Sequence, residues 1–282
     1  MNGRLKITTS MLIWGSVGIF ARFSNLSGLG VAFFRVSLGA ILLLSLLAGN
    51  KGWVLSLPSI VRTKWKPLVA LGVSLALNWV FLFTAFSYTT IANAVLVYYM
   101  APIIATLISW RFLGERMTLK RWLLIGTAFA GLILIMSGQD VDLGNRDFVG
   151  ILLAAIAAFF YSLIPNLGRF LRDVDGKTLT FLQLAVASVV LAPFIAASGV
   201  GEPAWWAVFI LVSVHTVLAL FLYMDGLKEV EVNEAALLSY LDPMSAVIYA
   251  FLIFGEVPGV RTALGGALIL LASLLDIKAR GS

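Results

Sequence analysis

The sequence predicts an all-α membrane protein: ten transmembrane helices in two inverted-topology repeats of five, with both termini in the cytoplasm. Three observations carry this prediction. The composition suits lipid rather than water, the apolar residues fall into ten runs of spanning length, and the positive charges lie almost entirely on one side.

Of 282 residues, 61% are hydrophobic and 12% charged, and the mean hydropathy is +1.00. A soluble domain is about 45–50% apolar and about 25% charged. So few charges could not cover so much apolar side chain in water. A disordered chain, a coiled coil, a secreted disulfide scaffold and a DNA-binding domain are thereby excluded. The net charge of +6 would point a soluble chain toward nucleic acid, but here the bias of cytoplasmic loops explains it. The chain has no cysteine and one histidine, His215. Disulfides, zinc–thiolate sites and iron–sulfur clusters are excluded, and no metal or other cofactor is expected. Arg4 and Lys6 before an apolar run resemble the start of a signal peptide. No small-residue cleavage site follows, so the run reads as an uncleaved first span.

A spanning helix needs roughly 20 mostly apolar residues. The runs are approximately 7–22, 29–48, 67–86, 91–110, 119–137, 148–165, 178–197, 204–223, 234–254 and 259–276. They are continuous rather than alternating, which excludes a β-barrel. The longest connection, 49–66, carries Lys51, Trp53, Pro58, Arg62, Lys64 and Lys66 and reads as a loop. Alternate crossings place 16 Lys and Arg on the side of the termini and 3 (Arg22, Arg146 and Arg261) on the other, with Arg35 inside the second span. That asymmetry puts both termini in the cytoplasm.

The second half echoes the first. Tyr99 and Pro102 match Tyr240 and Pro243, Gly114-Glu115 matches Gly255-Glu256, and Ala94 matches Ala235, all at an offset of 141 residues. A polar cluster opens the helix in each half (Asn93; Asn233 and Glu234). The repeats are 1–140 and 141–282. Five spans is an odd number, so the halves sit in opposite orientations. Inverted repeats are characteristic of secondary transporters, whose substrate site lies near the midplane between the repeats. Gly114 and Gly255 suit helix C-termini that need positive φ. Glu115 and Glu256 would then favour the N-terminal end of the next helix. Pro102 and Pro243 interrupt the backbone ladder, as hinges or as kinks.

These residues, with Trp14-Gly15 in the first span and Phe34-Arg35 in the second, resemble the EamA family of the drug/metabolite transporter superfamily. The resemblance covers essentially the whole chain and is greatest to YddG-type aromatic amino-acid exporters. It implies ten helices around a central cavity lined mainly by spans one, three, four, six, eight and nine. It also implies a multi-pass protein of the bacterial inner membrane that exports small metabolites. Amino acids, aromatic or hydrophobic, with threonine or methionine as further candidates, are the expected substrates. A drug or sugar-like metabolite on the same fold is the alternative. The remaining partner is the lipid bilayer, and a monomer is the expectation.

Trp53, Trp65, Trp110, Trp122, Trp205 and Trp206 fall near span ends, where an aromatic belt explains them. Trp14 and Trp79 lie near span centres and either line a cavity or pack between helices. Asn78 beside Trp79 is a mid-span amide that needs a partner or water. Tyr98, Tyr99, Tyr240 and Tyr249 occupy the repeat-related spans four and nine. Their phenols want hydrogen-bond partners while their rings pack apolarly, which suits an amphipathic aromatic substrate as well as ordinary helix packing. Tyr161 is a further candidate in span six.

Ionisable groups at membrane depth mark function or a buried pair. His215 titrates in the physiological range when unperturbed, and Asp242 precedes Pro243. Either could bind a substrate ammonium, couple proton movement to export, or serve as a hydrogen-bonded structural group. Arg35 reads as a helix-holding group outside the site. The small-residue stripes Gly150/Ala154/Ala158 and Ala263/Ala267 read as close-packing faces. The acidic stretch Asp225, Glu229, Glu231 and Glu234 reads as a solvated face. No phosphate loop, catalytic triad or metal cluster is visible, so an enzyme is not expected. An intramembrane lipid enzyme and a purely structural subunit remain the readings from other classes.

Overall fold

The computed structural model describes residues 2–113, 117–137, 144–171, 173–198, 202–226, 229, 238 and 241–280. Among the described residues the chain is helical, without strands. Six segments are long and apolar enough to cross a membrane: Gly28–Leu47, Lys51–Tyr88, Ile91–Phe112, Arg146–Gly168, Gly176–Ala197 and Trp205–Tyr223. Shorter apolar helices cover Trp122–Ile135, Leu241–Phe254 and Val260–Ala272. Large apolar side chains such as Phe112, Val189, Phe209 and Leu252 point outward on many helices. Lipid is the solvent that tolerates them, and the chain is a multi-pass membrane protein. Gly114-Glu115, Asn233, Glu234, Ala235 and Tyr240 lie outside the described residues, so the fragment of the repeat they carry does too.

The first predicted run is two helices, α1 (Gly3–Gly15) and α2 (Val17–Phe23), broken at Ser16. Helix α3 is Gly28–Leu47. Helix α4, Lys51–Tyr88, contains a non-helical residue at Lys64 between Pro58 and Pro67. The expectation of a loop over 49–66 is therefore corrected. The Asn50 side chain caps the segment by accepting from Trp53 N at 3.1 Å. Trp53, Leu57 and Ile60 then recur at helical spacing. Leu57 and Ile60 join the cluster of Leu68, Leu71, Leu171 and Leu182, and the Trp53 indole donates to Thr178 Oγ1 at 2.7 Å. Their burial outweighs the helix-breaking prolines, and the break falls between them.

The fourth run is α5 (Ile91–Tyr98) and α6 (Ala101–Leu113), separated at Tyr99-Met100. Pro102 has no N–H to continue the ladder, which accounts for the break just before it. Helices α7 (Leu119–Met136), α8 (Arg146–Gly168) and α9 (Gly176–Ser198) follow, with a short 3₁₀ turn at Arg169–Leu171 after α8. Next come α10 (Trp205–Ile210), a π-helical stretch Leu211–Leu218, and α11 (Ala219–Gly226). Helices α12 (Leu241–Phe254) and α13 (Val260–Arg280) complete the chain.

Helix α4 packs on α3, α8 and α9, α1 on α11 and α12, and α7 on α13. In the α7/α13 pair Gly131 and Gly265 face each other. A Cβ on either would strike the carbonyl oxygen of the other. The close-packing face of α13 is thus Gly265 and Gly266, both buried, and not Ala263 and Ala267, which are exposed. On α8 the expected stripe is the packed one, with Ala154 and Ala158 fully buried and Gly150 against Thr89. Replacing Gly265 by Ala should lower the melting temperature in detergent by about 3–5 °C. Overpacking costs roughly 1–3 kcal/mol and outweighs the helix-propensity gain of about 1 kcal/mol. Gly126→Ala, with no atom within 4 Å of its added Cβ, is the control and should be neutral or stabilising.

Loops 22–27, 86–90, 144–147 and 255–259 gather at one end. Arg22 pairs with Glu256 and donates to the carbonyls of Phe86 (3.0 Å) and Thr89 (2.9 Å). Gly255 has φ +67°, as a helix C-terminus requires. Glu256 serves a different helix from the one expected. Its Oε2 accepts from Ile91 N at 2.8 Å, at the start of α5 rather than α13. The network continues through Thr89 to Asp147 (2.7 Å) and through Asn93 to Thr262 (2.8 Å). At the opposite end Lys6 pairs with Glu229 and Lys64 with Asp173.

Candidate functional site

Three irregularities converge on the middle of the molecule. At the α1/α2 break, Ser16 Oγ donates to Ile13 O and lies 2.9 Å from His215 Nε2. At the α5/α6 break, Tyr99 departs from helical geometry with ψ 7°. In the π-helical stretch the Thr216 hydroxyl donates to Leu211 O, five residues back, at 2.8 Å. Wide π turns recur at functional sites because they re-aim side chains. Such backbone is tolerated at membrane depth only where protein buries it or it lines a cavity.

The cavity here measures about 340 Å³. Eight of the ten sequence-predicted site residues line it: Trp14, Asn78, Trp79, Tyr98, Tyr99, Tyr161, His215 and Asp242. Tyr249 does not; it packs against the core from α12. Tyr240 lies outside the described residues. The six spans that the resemblance names each contribute to the lining. Arg35 from α3 and Thr180 and Gln183 from α9 also line it, so two further spans take part.

Eight aromatic side chains are among the residues that line the cavity. Tyr98 and Tyr161 stack at 4.9 Å with 13° between planes. The Trp14 ring lies 5.3 Å from that of Tyr223, and its indole N–H donates to His215 O at 2.8 Å. Asp242 stands in the first turn of α12 and accepts from the Tyr99 hydroxyl at 2.8 Å. This bond joins the α5/α6 break to α12. A carboxylate beside aromatic faces can hold an ammonium or receive a proton.

His215 is 2% exposed. Its Nε2 meets Ser16 Oγ, its Nδ1 meets Ile210 O at 3.3 Å, and its ring lies 4.9 Å from that of Phe20. A neutral imidazole has one N–H for these two contacts, and with it His215 ties the α1/α2 break to the π turn while also lining the cavity.

Arg35, expected as a helix-holding group outside the site, does tie α3 to the π-helical stretch through Thr216 Oγ1 and His215 O, and it lines the cavity as well. The signal was available, since a charge inside a span marks function by default. Thr180 and Gln183 repeat at one helical face, a weaker signal in an otherwise apolar helix.

A second cavity, about 460 Å³, lies at the end that holds Arg22, Asp147 and Glu256. Phe83 and Phe86 line both cavities, and each is 2% exposed.

The profile of the EamA-like transporter family matches residues 1–137 and 148–276. An uncharacterized transporter of Bacillus subtilis (strain 168), YxxF, is 28% identical over 285 residues, covering 98% of this chain and 89% of that protein. The pseudopaline exporter CntI of Pseudomonas aeruginosa (strain UCBPP-PA14) is 27% identical over 250 residues, covering 86% of this chain and 84% of that protein. A solved crystal structure matches with a TM-score of 0.63 at 21% identity, covering 99% of this chain and 97% of that one, and it shows the shared fold.

Proposed function

Since the chain belongs to the EamA-like transporter family, whose relatives here are transporters rather than enzymes, we propose that it exports amino acids, aromatic or hydrophobic, from the cytoplasm of a bacterium by alternating access through the central cavity. The observation that carries this reading is the Asp242 carboxylate, held by Tyr99 in a cavity walled by Trp14, Trp79, Tyr98 and Tyr161. The aromatic wall suits an apolar side chain, and Asp242 suits an ammonium or a coupling proton. The relative that exports pseudopaline supports small-molecule export. In this reading ten spans form two inverted repeats, 1–140 and 141–282, in the inner membrane. Both termini are cytoplasmic, the protein acts as a monomer, and the cavity residues bind substrate, with His215 as a positioning group.

Flux in proteoliposomes tests it. Labelled phenylalanine and tryptophan should move saturably, threonine and methionine more slowly, and a sugar nucleotide not at all. Movement of the sugar nucleotide or an organic cation without any amino acid would overturn the substrate class. Turnover of lipid with no solute flux would overturn transport itself.

A further inference from the structure

Arg35 is the cation of the central cavity that the reading above leaves without a role. It is 5% exposed on α3. Its guanidinium carbon lies 4.0 Å from the centre of the Trp79 ring and 5.1 Å from that of Phe83. Nε donates to Thr216 Oγ1 at 3.0 Å, and Nη2 reaches His215 O at a long 3.4 Å. Both acceptors are neutral. Among the described residues no carboxylate pairs with it. Buried arginine is almost always paired, because an uncompensated buried charge is strongly destabilising. The aromatic faces offset part of that cost and also hold the guanidinium in a fixed plane. A planar fork of donors matches a carboxylate in two places at once.

A second observation points to the same place. Asn78, the residue before Trp79, is 1% exposed and lines the cavity. Its Oδ1 makes no hydrogen bond. Nearly every buried acceptor in a folded protein has a partner, so an orphan calls for one. The Asn78 side chain also hydrogen-bonds Tyr98, and a small turn of the amide about that bond would bring its buried Oδ1 to a ligand N–H. Arg35 and Asp242 both line the cavity, so its wall presents two opposite charges.

We propose that Arg35 is the carboxylate receptor of the transported substrate, and that Asn78 Oδ1 accepts an N–H of the same molecule. This rests on the amino-acid reading and deepens it. The site then selects a zwitterion over a simple organic cation, which Arg35 repels, and over a neutral sugar, which leaves Arg35 uncompensated. It also makes Arg35 a specificity-determining residue on a helix that the family resemblance leaves outside the lining.

Binding to purified protein, followed by isothermal titration calorimetry, tests the assignment with three probes: phenylalanine, phenethylamine, which lacks the carboxylate, and 3-phenylpropionate, which lacks the ammonium. Wild type should bind phenylalanine roughly 30- to 100-fold tighter than phenethylamine, the range expected for losing a charge-assisted hydrogen-bond pair. In Arg35→Gln that preference should fall to within about threefold, and Arg35→Lys should keep part of it, since lysine retains the charge without the fork. Asn78→Leu should weaken phenylalanine more than 3-phenylpropionate. If wild type binds none of the three, the amino-acid reading falls and the assignment with it. Equal wild-type affinity for phenylalanine and phenethylamine leaves amino-acid export standing and removes the carboxylate receptor, even should the Arg35 variants fail to fold. Unchanged discrimination in Arg35→Gln moves the receptor to another residue.

Discussion

Replacing Asp242 by asparagine should lower phenylalanine export from proteoliposomes by at least about 30-fold, because removing one member of a desolvated charge contact costs roughly 2–5 kcal/mol. Fold and surface are expected to persist, since asparagine keeps the shape and can still accept from Tyr99 (2.8 Å from Asp242 Oδ2 in the wild type). Tyr99→Phe should be milder, about 5- to 10-fold, the range for one hydrogen bond at roughly 1–1.5 kcal/mol. The pair should also be coupled: in Asp242→Asn the further loss from Tyr99→Phe should be smaller than in wild type. The pH dependence of flux separates the two roles open to the carboxylate. If Asp242 only binds the ammonium, the variant raises the substrate concentration needed and leaves the response to an imposed pH gradient intact. If it carries a coupling proton, the variant loses that response. Wild-type rates and an unchanged pH profile would remove Asp242 from the mechanism.

The second large effect is on stability. Arg22→Ala and Glu256→Gln should each lower the melting temperature in detergent by roughly 5–10 °C. Arg22 ties the end of α2 to Glu256, Phe86 and Thr89, and Glu256 also caps α5. Breaking a fully buried pair costs about 3–5 kcal/mol. Here the side chains keep 25% and 13% of their exposure, so solvent screening reduces that to about 2–3 kcal/mol, at roughly 2–4 °C per kcal/mol. The double variant should be less destabilised than the sum of the singles. Additive losses would mean that the two residues act independently and that the shared network is not the source of the effect.

Much of this was readable from residue order, for physical reasons that differ from place to place. Continuous apolar runs must be helical in lipid, so α3, α8 and α9 fall where hydropathy puts them. Pro102 announces the break at Tyr99-Met100, because a missing N–H is a local property. The break at Ser16 and the π turn at Leu211–Leu218 have no such signature. They depend on partners about 200 positions away, such as Ser16 with His215. The helix over 51–63 is hard to read from residue order because its stripe of Trp53, Leu57 and Ile60 is short and embedded among lysines and prolines. Its stabilising surface is assembled from α9, Leu171 and the later part of α4. Most proposed site residues could be picked out because aromatics and charges are conspicuous at mid-span. Arg35 ties α3 to the π-helical stretch, as expected of a helix-holding group, while its place on the cavity wall depends on neighbours that residue order does not show. Whether a span faces lipid or cavity is decided by its neighbours, and here Thr216 on the widened turn draws Arg35 inward.

The shared wall of Phe83 and Phe86 bears on a hazard that every carrier faces. A channel-like path through an inner membrane would short-circuit the ion gradients on which the cell's energy supply depends. Phe83 and Phe86 stand in the wall that the two chambers share, and aromatic faces offer hopping protons no hydroxyl or carboxylate to use. If export runs by the alternating access proposed above, these rings must yield to a passing solute without leaving a wet gap behind. Insulation then places as strict a demand on Phe83 and Phe86 as recognition does on the polar groups of the cavity.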